Sequence, residues 1–420
     1  MSSEIRAQSL IAASCWDALD GAFFAVIGLG LSGVAAANAL ARLGADVLAY
    51  DDQGPDALTG ALARLDRRVQ TRLGSGYIAR PGEIVVVSPG LSVHSPTYRR
   101  IAASAAGVVG EVELFARLDR AARGGRGHPV IAVTGTDGKT TTTMLIDHLL
   151  RSAGHKTLCA GNIGEPLCNH VGRLSDDTIV VAEVSEFQLA TTQTFAPAVL
   201  VLTNVADDHL DWFGGDRQAY VASMVDVAAR AGVGDHLIVN AHDPAFDPLW
   251  QTAVGAARGP SISLFSARRS YGQLSEMLRA AAKPHDPGDG AAMDSVGVDG
   301  VGVDGVGVDG VGARGAVDSV GALGGVFADR VFAVDDGCLV ARVDAETSYA
   351  IVPTDVLGAE AGQPMLGVHN HDNALAAAAA VLAFGLPLGA VQRGLRTFKL
   401  PPHRLEPVGT VAGVRFINDS

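Results

Sequence analysis

The sharpest chemistry in the sequence lies in "VTGTDGKTTTT" at residues 133–143. Gly135, Thr136, Asp137, Gly138, Lys139, Thr140 and Thr141 stand between an apolar run and a helical pattern. Backbone N–H groups in such a loop can cradle a triphosphate. Lys139 would neutralise the β/γ oxygens and Thr140 or Thr141 would hold Mg²⁺. Val133 occupies the position where the common GxxxxGK[ST] pattern has its first glycine. Two acidic sites follow, each at the end of an apolar run. Glu183 closes "TIVVAE", and "DDHLD" at 207–211 follows "VLVLTNVA". Strand ends of a parallel sheet face the nucleotide crevice, so Glu183 and His209 are candidate metal ligands. A second, weaker signal is Gly28-x-Gly30-x-x-Gly33 between an apolar run and a helix, with Asp51 and Asp52 following 18–19 residues after Gly33. It says nucleotide on a Rossmann-like unit, with NAD and UDP both open.

These residues need elements to hold them. Strands are predicted at "FFAVIG", "DVLAY", "EIVVVS", "VIAVTG", "TIVVAEV", "AVLVLTNV" and "HLIVN", with helices through "GVAAANALARLG" and "TTTMLIDHLLRSAG". This βαβ rhythm predicts an α/β protein: a Rossmann-like parallel-sheet domain over 1–125, then a P-loop-type ATPase domain over 126–400. Gly124, Gly125, Gly127 and Pro129 mark the expected linker between them. "VFAVDDGCLVARV" reads as a hairpin turning at Asp-Asp-Gly, and "NHDNALAAAAAVLAFG" and "PLGAVQRGLRTF" as helices. Residues 296–310 repeat VGVDG three times, and 283–325 reads as a flexible Gly/Asp-rich insertion. "VRFIND" reads as the first strand of a third unit, 401–420, of which only the beginning is present.

Composition narrows the setting. The 420 residues are 48% hydrophobic and 18% charged, enough to bury several cores. A net charge of −13 with no basic run argues against nucleic-acid binding. Cys15, Cys159, Cys168 and Cys338 form no CxxC pair, which fits a reducing cytosol. Gly21 to Ala41 carries no charge, yet "GLGLSG" would break a membrane helix, so the segment reads as a buried strand and helix rather than a span.

In their order and spacing, "GLGLSG", "VVSPGLS", "GTDGKTTT", "GNIGEPL", "SEFQL", "NVADDHLDW", "LGVHNHDNALAA" and "PHRLE…FINDS" resemble the Mur ligases. The nearest likeness is to the branch that joins D-glutamate to UDP-N-acetylmuramoyl-L-alanine. The resemblance implies a cytoplasmic, ATP-dependent amide ligase of peptidoglycan precursor synthesis, working with Mg²⁺ through an acyl phosphate, as a monomer. By position it implies UDP-substrate contacts at Gly30, Leu31, Ser32, Asp51, Asp52 and Gly90, and a muramoyl contact at Asn162. Lys139, Glu183 and His209 would be the catalytic group, with Thr140, Glu183 and His209 on metal. Asn373 and Arg404 would contact the adenine nucleotide and Asp419 its ribose. The family places a carbamoylated lysine on a second Mg²⁺, 14–15 residues after the metal histidine. Here that count reaches Ser223 or Met224, and no lysine occurs between 157 and 282. The resemblance also implies a D-glutamate-binding domain after "INDS". A non-catalytic nucleotide-binding relative and, more remotely, a folylpolyglutamate synthase-like ligase or a nicotinamide dehydrogenase are the other readings of these residues.

Overall fold

The computed structural model describes residues 22–74, 76–77, 80, 83–255, 259–281, 330–342, 348–362, 365, 367–401, 406–411 and 414–418. The Gly/Asp-rich insertion, Arg404 and Asp419 lie outside them.

The first sheet is five parallel strands: β1 (Phe23–Ile27), β2 (Asp46–Asp51), β3 (Gln70–Leu73), β4 (Ile84–Val87) and β5 (Gly107–Gly110). They lie in the order β3-β2-β1-β4-β5. β1 and β4 are buried almost throughout, as strands covered on both faces must be, which is why they read as continuous apolar runs. Helix α1 (Leu31–Arg42) packs its alanines flat on this sheet. Gly33 sets how closely it approaches, since a Cβ there would stand 1.8 Å from the Gly28 carbonyl oxygen. The strand order reverses between β1 and β4, so the turns after these strands face one crevice.

Helix α2 (Glu111–Ala122) leads to the second sheet. Its strands are β6 (Val130–Thr134), β7 (Thr157–Gly161), β8 (Ile179–Glu183), β9 (Val199–Leu202), β10 (His236–Asn240), β11 (Ser261–Ser266), β12 (Arg330–Asp335), β13 (Cys338–Arg342) and β14 (Ser348–Pro353). Their order is β14-β13-β12-β11-β10-β9-β6-β8-β7. Strands β6 to β12 run parallel, and β12-β13-β14 finish the edge as an antiparallel meander. The predicted hairpin forms with Asp336 and Gly337 both at positive φ, as a two-residue primed turn requires.

Helix α3 (Lys139–Ser152) follows β6, and α4 (Arg217–Ala228) packs farther along. Helix α5 (Val368–Ala383) lies between α3 and strands β9 to β12, with Ala374 to Ala380 wholly buried. Helix α6 (Leu388–Thr397) meets α3 at Gly394, where a Cβ would stand 2.5 Å from a Leu149 methyl.

The glycine-rich stretch before β6 is anchored by its neighbours. The Asp119 carboxylate accepts from the His128 backbone N–H at 2.6 Å and contacts its ring nitrogen at 2.7 Å. Arg123 reaches Asp176 at 2.6 Å. One expectation changes: "VRFIND" is the second strand of a hairpin, β16 (Val414–Asn418) on β15 (Glu406–Val411), not a first strand. Pro407 and Gly409 interrupt the alternation of β15 and hide it from sequence reading.

Candidate active site

The turn from β6 into α3 carries the phosphate-loop sequence. Its conformation is held by the chain that follows β9, the neighbouring strand. The Thr203 hydroxyl donates to the Asp137 carbonyl at 2.7 Å. The Asn204 amide accepts from the Asp137 N–H at 2.9 Å and donates to its carbonyl at 3.0 Å. Thr136 Oγ1 meets the Tyr220 hydroxyl at 2.6 Å and accepts from the Ala206 N–H at 2.8 Å. Burial raises the Tyr220 pKa to about 12, so it serves as a neutral hydroxyl. The Lys139 ammonium folds back onto the Gly135 and Thr136 carbonyls at 2.6 and 2.8 Å. Gly138 has φ +78°, and a Cβ there would lie 2.3 Å from Asn373 Oδ1. Thus α5 closes on the loop only because residue 138 lacks a side chain.

These residues open on a cleft of about 890 Å³ at the carboxyl ends of the parallel strands. Thr136 to Thr141, Asn162, Glu183 and Asn373 all line it. Glu183, at the end of β8, is 1% exposed. One of its oxygens accepts from Asn162 Nδ2 at 2.8 Å, and the other has no hydrogen-bond partner. An orphaned buried carboxylate oxygen beside a phosphate loop fits a hard cation, with Thr140 in the same lining. Among the described residues no three His, Cys, Asp or Glu side chains converge to hold a metal unaided. The cation would therefore complete its shell with nucleotide oxygens and water.

His209 stands apart from that lining. It is exposed, at φ +54°, 3.4 Å from Asp208 and over the Phe187 ring at 5.1 Å. Its loop is nonetheless anchored. Trp212 Nε1 donates to the Pro89 carbonyl at 3.0 Å, and Ser92 Oγ donates to the Trp212 carbonyl at 2.5 Å. Pro89 and Ser92 flank Gly90 in the turn after β4, so the first sheet's ligand-side turn is strapped to the His209 loop. In the first crevice Gly30 and Leu31 are exposed at the start of α1, with Ser32 half-buried beside them and Asp52 exposed after β2. The Asp51 carboxylate accepts from the Leu29 and Gln53 N–H groups at 2.7 and 3.0 Å, so it shapes the glycine turn.

Several cleft residues have no role assigned from sequence, although Asn204 stands in "NVADDHLDW" and His369 and Asp372 in "LGVHNHDNALAA". Thr203, Asn204 and Tyr220 hold the loop from a distance. His242, Arg268, His369 and Asp372 line the far wall. Arg268 follows β11, a strand whose Ser-rich sequence conceals it. Asp372 accepts from the Ala267 N–H at 2.6 Å, and burial raises its pKa.

A strand–loop–helix phosphate cradle on a parallel sheet, faced by a buried carboxylate and joined to a Rossmann-like crevice, defines a nucleotide-using α/β protein. The Mur ligase middle domain profile matches residues 133–272. The UDP-N-acetylmuramoylalanine--D-glutamate ligase of Pelotomaculum thermopropionicum is 34% identical over 402 residues, spanning 94% of this chain and 70% of that protein. The ligase of the same name from Chlorobaculum parvum is 32% identical over 409 residues, 96% and 73% of the two chains. That from Caulobacter sp. is 32% identical over 407 residues, 96% and 71%. The chain belongs to the Mur ligase family, and is an ATP-dependent ligase by that membership.

Proposed function

We infer that the protein joins D-glutamate to UDP-N-acetylmuramoyl-L-alanine at the expense of ATP, in the assembly of peptidoglycan precursors. The observation that carries this reading is the Asn162–Glu183 contact. It sets the residue assigned to the muramoyl substrate against the carboxylate assigned to the nucleotide's metal. The names of the similar ligases support the choice of D-glutamate.

In this reading the turns bearing Gly30, Leu31, Ser32, Asp52 and Gly90 bind the UDP part. The Trp212 strap brings the L-alanyl carboxylate toward the cleft. The backbone N–H groups of 135–141 and Lys139 hold the ATP phosphates, and Asn373 orients the adenine nucleotide. A carboxylate oxygen attacks the γ-phosphorus and ADP leaves, giving an acyl phosphate. The D-glutamate amine then attacks the acyl carbon, loses a proton and expels inorganic phosphate. Lys139 and the loop N–H groups act by offsetting charge that builds on the transferring phosphoryl group. Thr140 and Glu183, with His209 at the loop edge, would hold Mg²⁺, which supplies further charge neutralisation when bound. We place the protein in the cytosol as a monomer. Among the described residues no helix is long and apolar enough to cross a membrane.

The test is formation of the amide product and phosphate from the two substrates and ATP, followed by mass spectrometry. Lys139→Ala should abolish ATP binding in calorimetry and leave UDP-substrate affinity within about twofold. Equal loss of both ligands would sink the two-site reading. Binding of both without turnover would favour a non-catalytic relative.

A further inference from the structure

Among the described residues three Lys or Arg side chains line the cleft: Lys139, Arg217 and Arg268. Lys139 is turned onto the Gly135 and Thr136 carbonyls. Arg268 belongs to the far wall, its Nε 3.8 Å from the Asp372 carboxylate. Arg217 has no part in the reading above.

Two routes place Arg217 at the phosphate loop. Asp216 caps α4, accepting from the Gln218 and Ala219 N–H groups at 2.8 and 3.1 Å, which makes Arg217 the first helical residue. Tyr220 follows three positions later, on the same side of the helix, and its buried hydroxyl touches Thr136 at 2.6 Å. By the second route, Arg217 Nε donates to the Asp207 carboxylate at 2.8 Å. Asp207 comes directly after Ala206, whose N–H donates to Thr136 Oγ1 at 2.8 Å. Both routes end at Thr136, where the loop begins.

The Arg217 guanidinium is not used up. Among the described residues its hydrogen bond to Asp207 engages Nε alone, and the side chain is 51% exposed. An ion pair so exposed is weak, and a planar guanidinium fork matches phosphate oxygens in pairs. The loop also has a direction. Gly138, at its helix end, abuts Asn373, which orients the adenine nucleotide in the ligase reading. Phosphates laid along the loop from Asn373 end nearest Thr136 and Arg217.

We propose that Arg217 grips the terminal phosphate of the bound nucleoside triphosphate and is the residue by which the cleft tells a triphosphate from a diphosphate. The proposal rests on the ligase reading above.

Calorimetry on the full chain with Mg²⁺ tests it, using a non-hydrolysable ATP analogue, ADP and UDP-N-acetylmuramoyl-L-alanine. Arg217→Ala should weaken the ATP analogue at least about tenfold and leave the other two ligands within about twofold. Arg217→Lys, which keeps the charge without the fork, should fall between wild type and Arg217→Ala. Asp207→Asn breaks the ion pair but keeps the guanidinium, and should hold the analogue within about twofold of wild type. Unchanged analogue affinity in Arg217→Ala, an equal fall for ADP, or the same loss in Asp207→Asn overturns the proposal and leaves the ligase reading standing. If Arg217→Ala loses all three ligands, Arg217→Lys decides: weakening of the analogue alone supports the proposal, and any other pattern overturns it. A wild-type chain that binds neither nucleotide overturns the ligase reading itself.

Discussion

At Gly138 two distant parts of the chain compete for one space. Its φ of +78° lies in the region that favours glycine, and an added Cβ would meet Asn373 Oδ1 at 2.3 Å. Gly138→Ala must therefore twist the phosphate loop or push α5 away. ATP affinity should fall at least about tenfold while the chain loses about 1–3 kcal/mol of stability. Calorimetry and urea melts check the two parts, and unchanged affinity would show that the loop tolerates the strain. Both residues are recognisable in the sequence, Gly138 from its loop and Asn373 from family resemblance. Their contact is not, because it depends on how α5 docks across the sheet.

Helix α5 is legible as a helix and illegible as a wedge. Alanine has the highest helix propensity, so the run from Ala374 to Ala380 predicts the element directly. Nothing in the run says which face is buried, since every position is apolar. The structure buries all of them, between α3 and the strands. Ala378→Leu adds three carbons where none fit and should cost at least about 1–3 kcal/mol, read as a lower urea midpoint at unchanged slope. An unchanged midpoint would mean that the helix has slack. The strands sort in a similar way. Those rich in Val, Ile and Leu are predicted from sequence, whereas "QTRL" of β3 holds one apolar residue in four and the serines of "SISLFS" in β11 interrupt its apolar run.

Across the whole molecule, α2 joins the two sheets through carboxylates of opposite behaviour. Glu113 is buried, which works against ionisation. Hydrogen bonds from the Thr194 hydroxyl, the N–H groups of Gln193, Thr194 and Phe195, and Arg117 outweigh that and bring its pKa down to about 2. Its stabilisation is complete above the ordinary carboxylate value and is lost as pH falls from about 4.5 to 2. Glu111 faces Cys168, and burial raises its pKa to about 7 despite the Cys168 N–H at 2.6 Å. The folded chain holds that group neutral, so stability declines as pH rises from about 4.5 to 7. Glu113→Gln should destabilise by about 3 kcal/mol at pH 7 and by less near pH 3. Glu111→Gln should raise stability by about 1–3 kcal/mol at pH 8 and have little effect near pH 4. Urea melts of both variants across this range test the signs, and a parallel pH dependence in the two would refute the assignment.

Local chemistry was enough to define the α/β rhythm, the two glycine-bearing turns, the phosphate loop and the carboxylate at the end of β8. Each is written in a few consecutive residues, through apolar periodicity and the backbone freedom of glycine. What had to await the tertiary structure was which of these parts meet. Strand β6 lies between β8 and β9, neither of them its neighbour along the chain, and this order sets Glu183 on one side of the loop and Thr203 and Asn204 on the other. The position of α4 then decides that Tyr220 holds Thr136. Periodicity tells which face of an element is apolar but not which element covers it. That choice is made by packing the whole chain at once, when each apolar face finds the one neighbour whose shape excludes water.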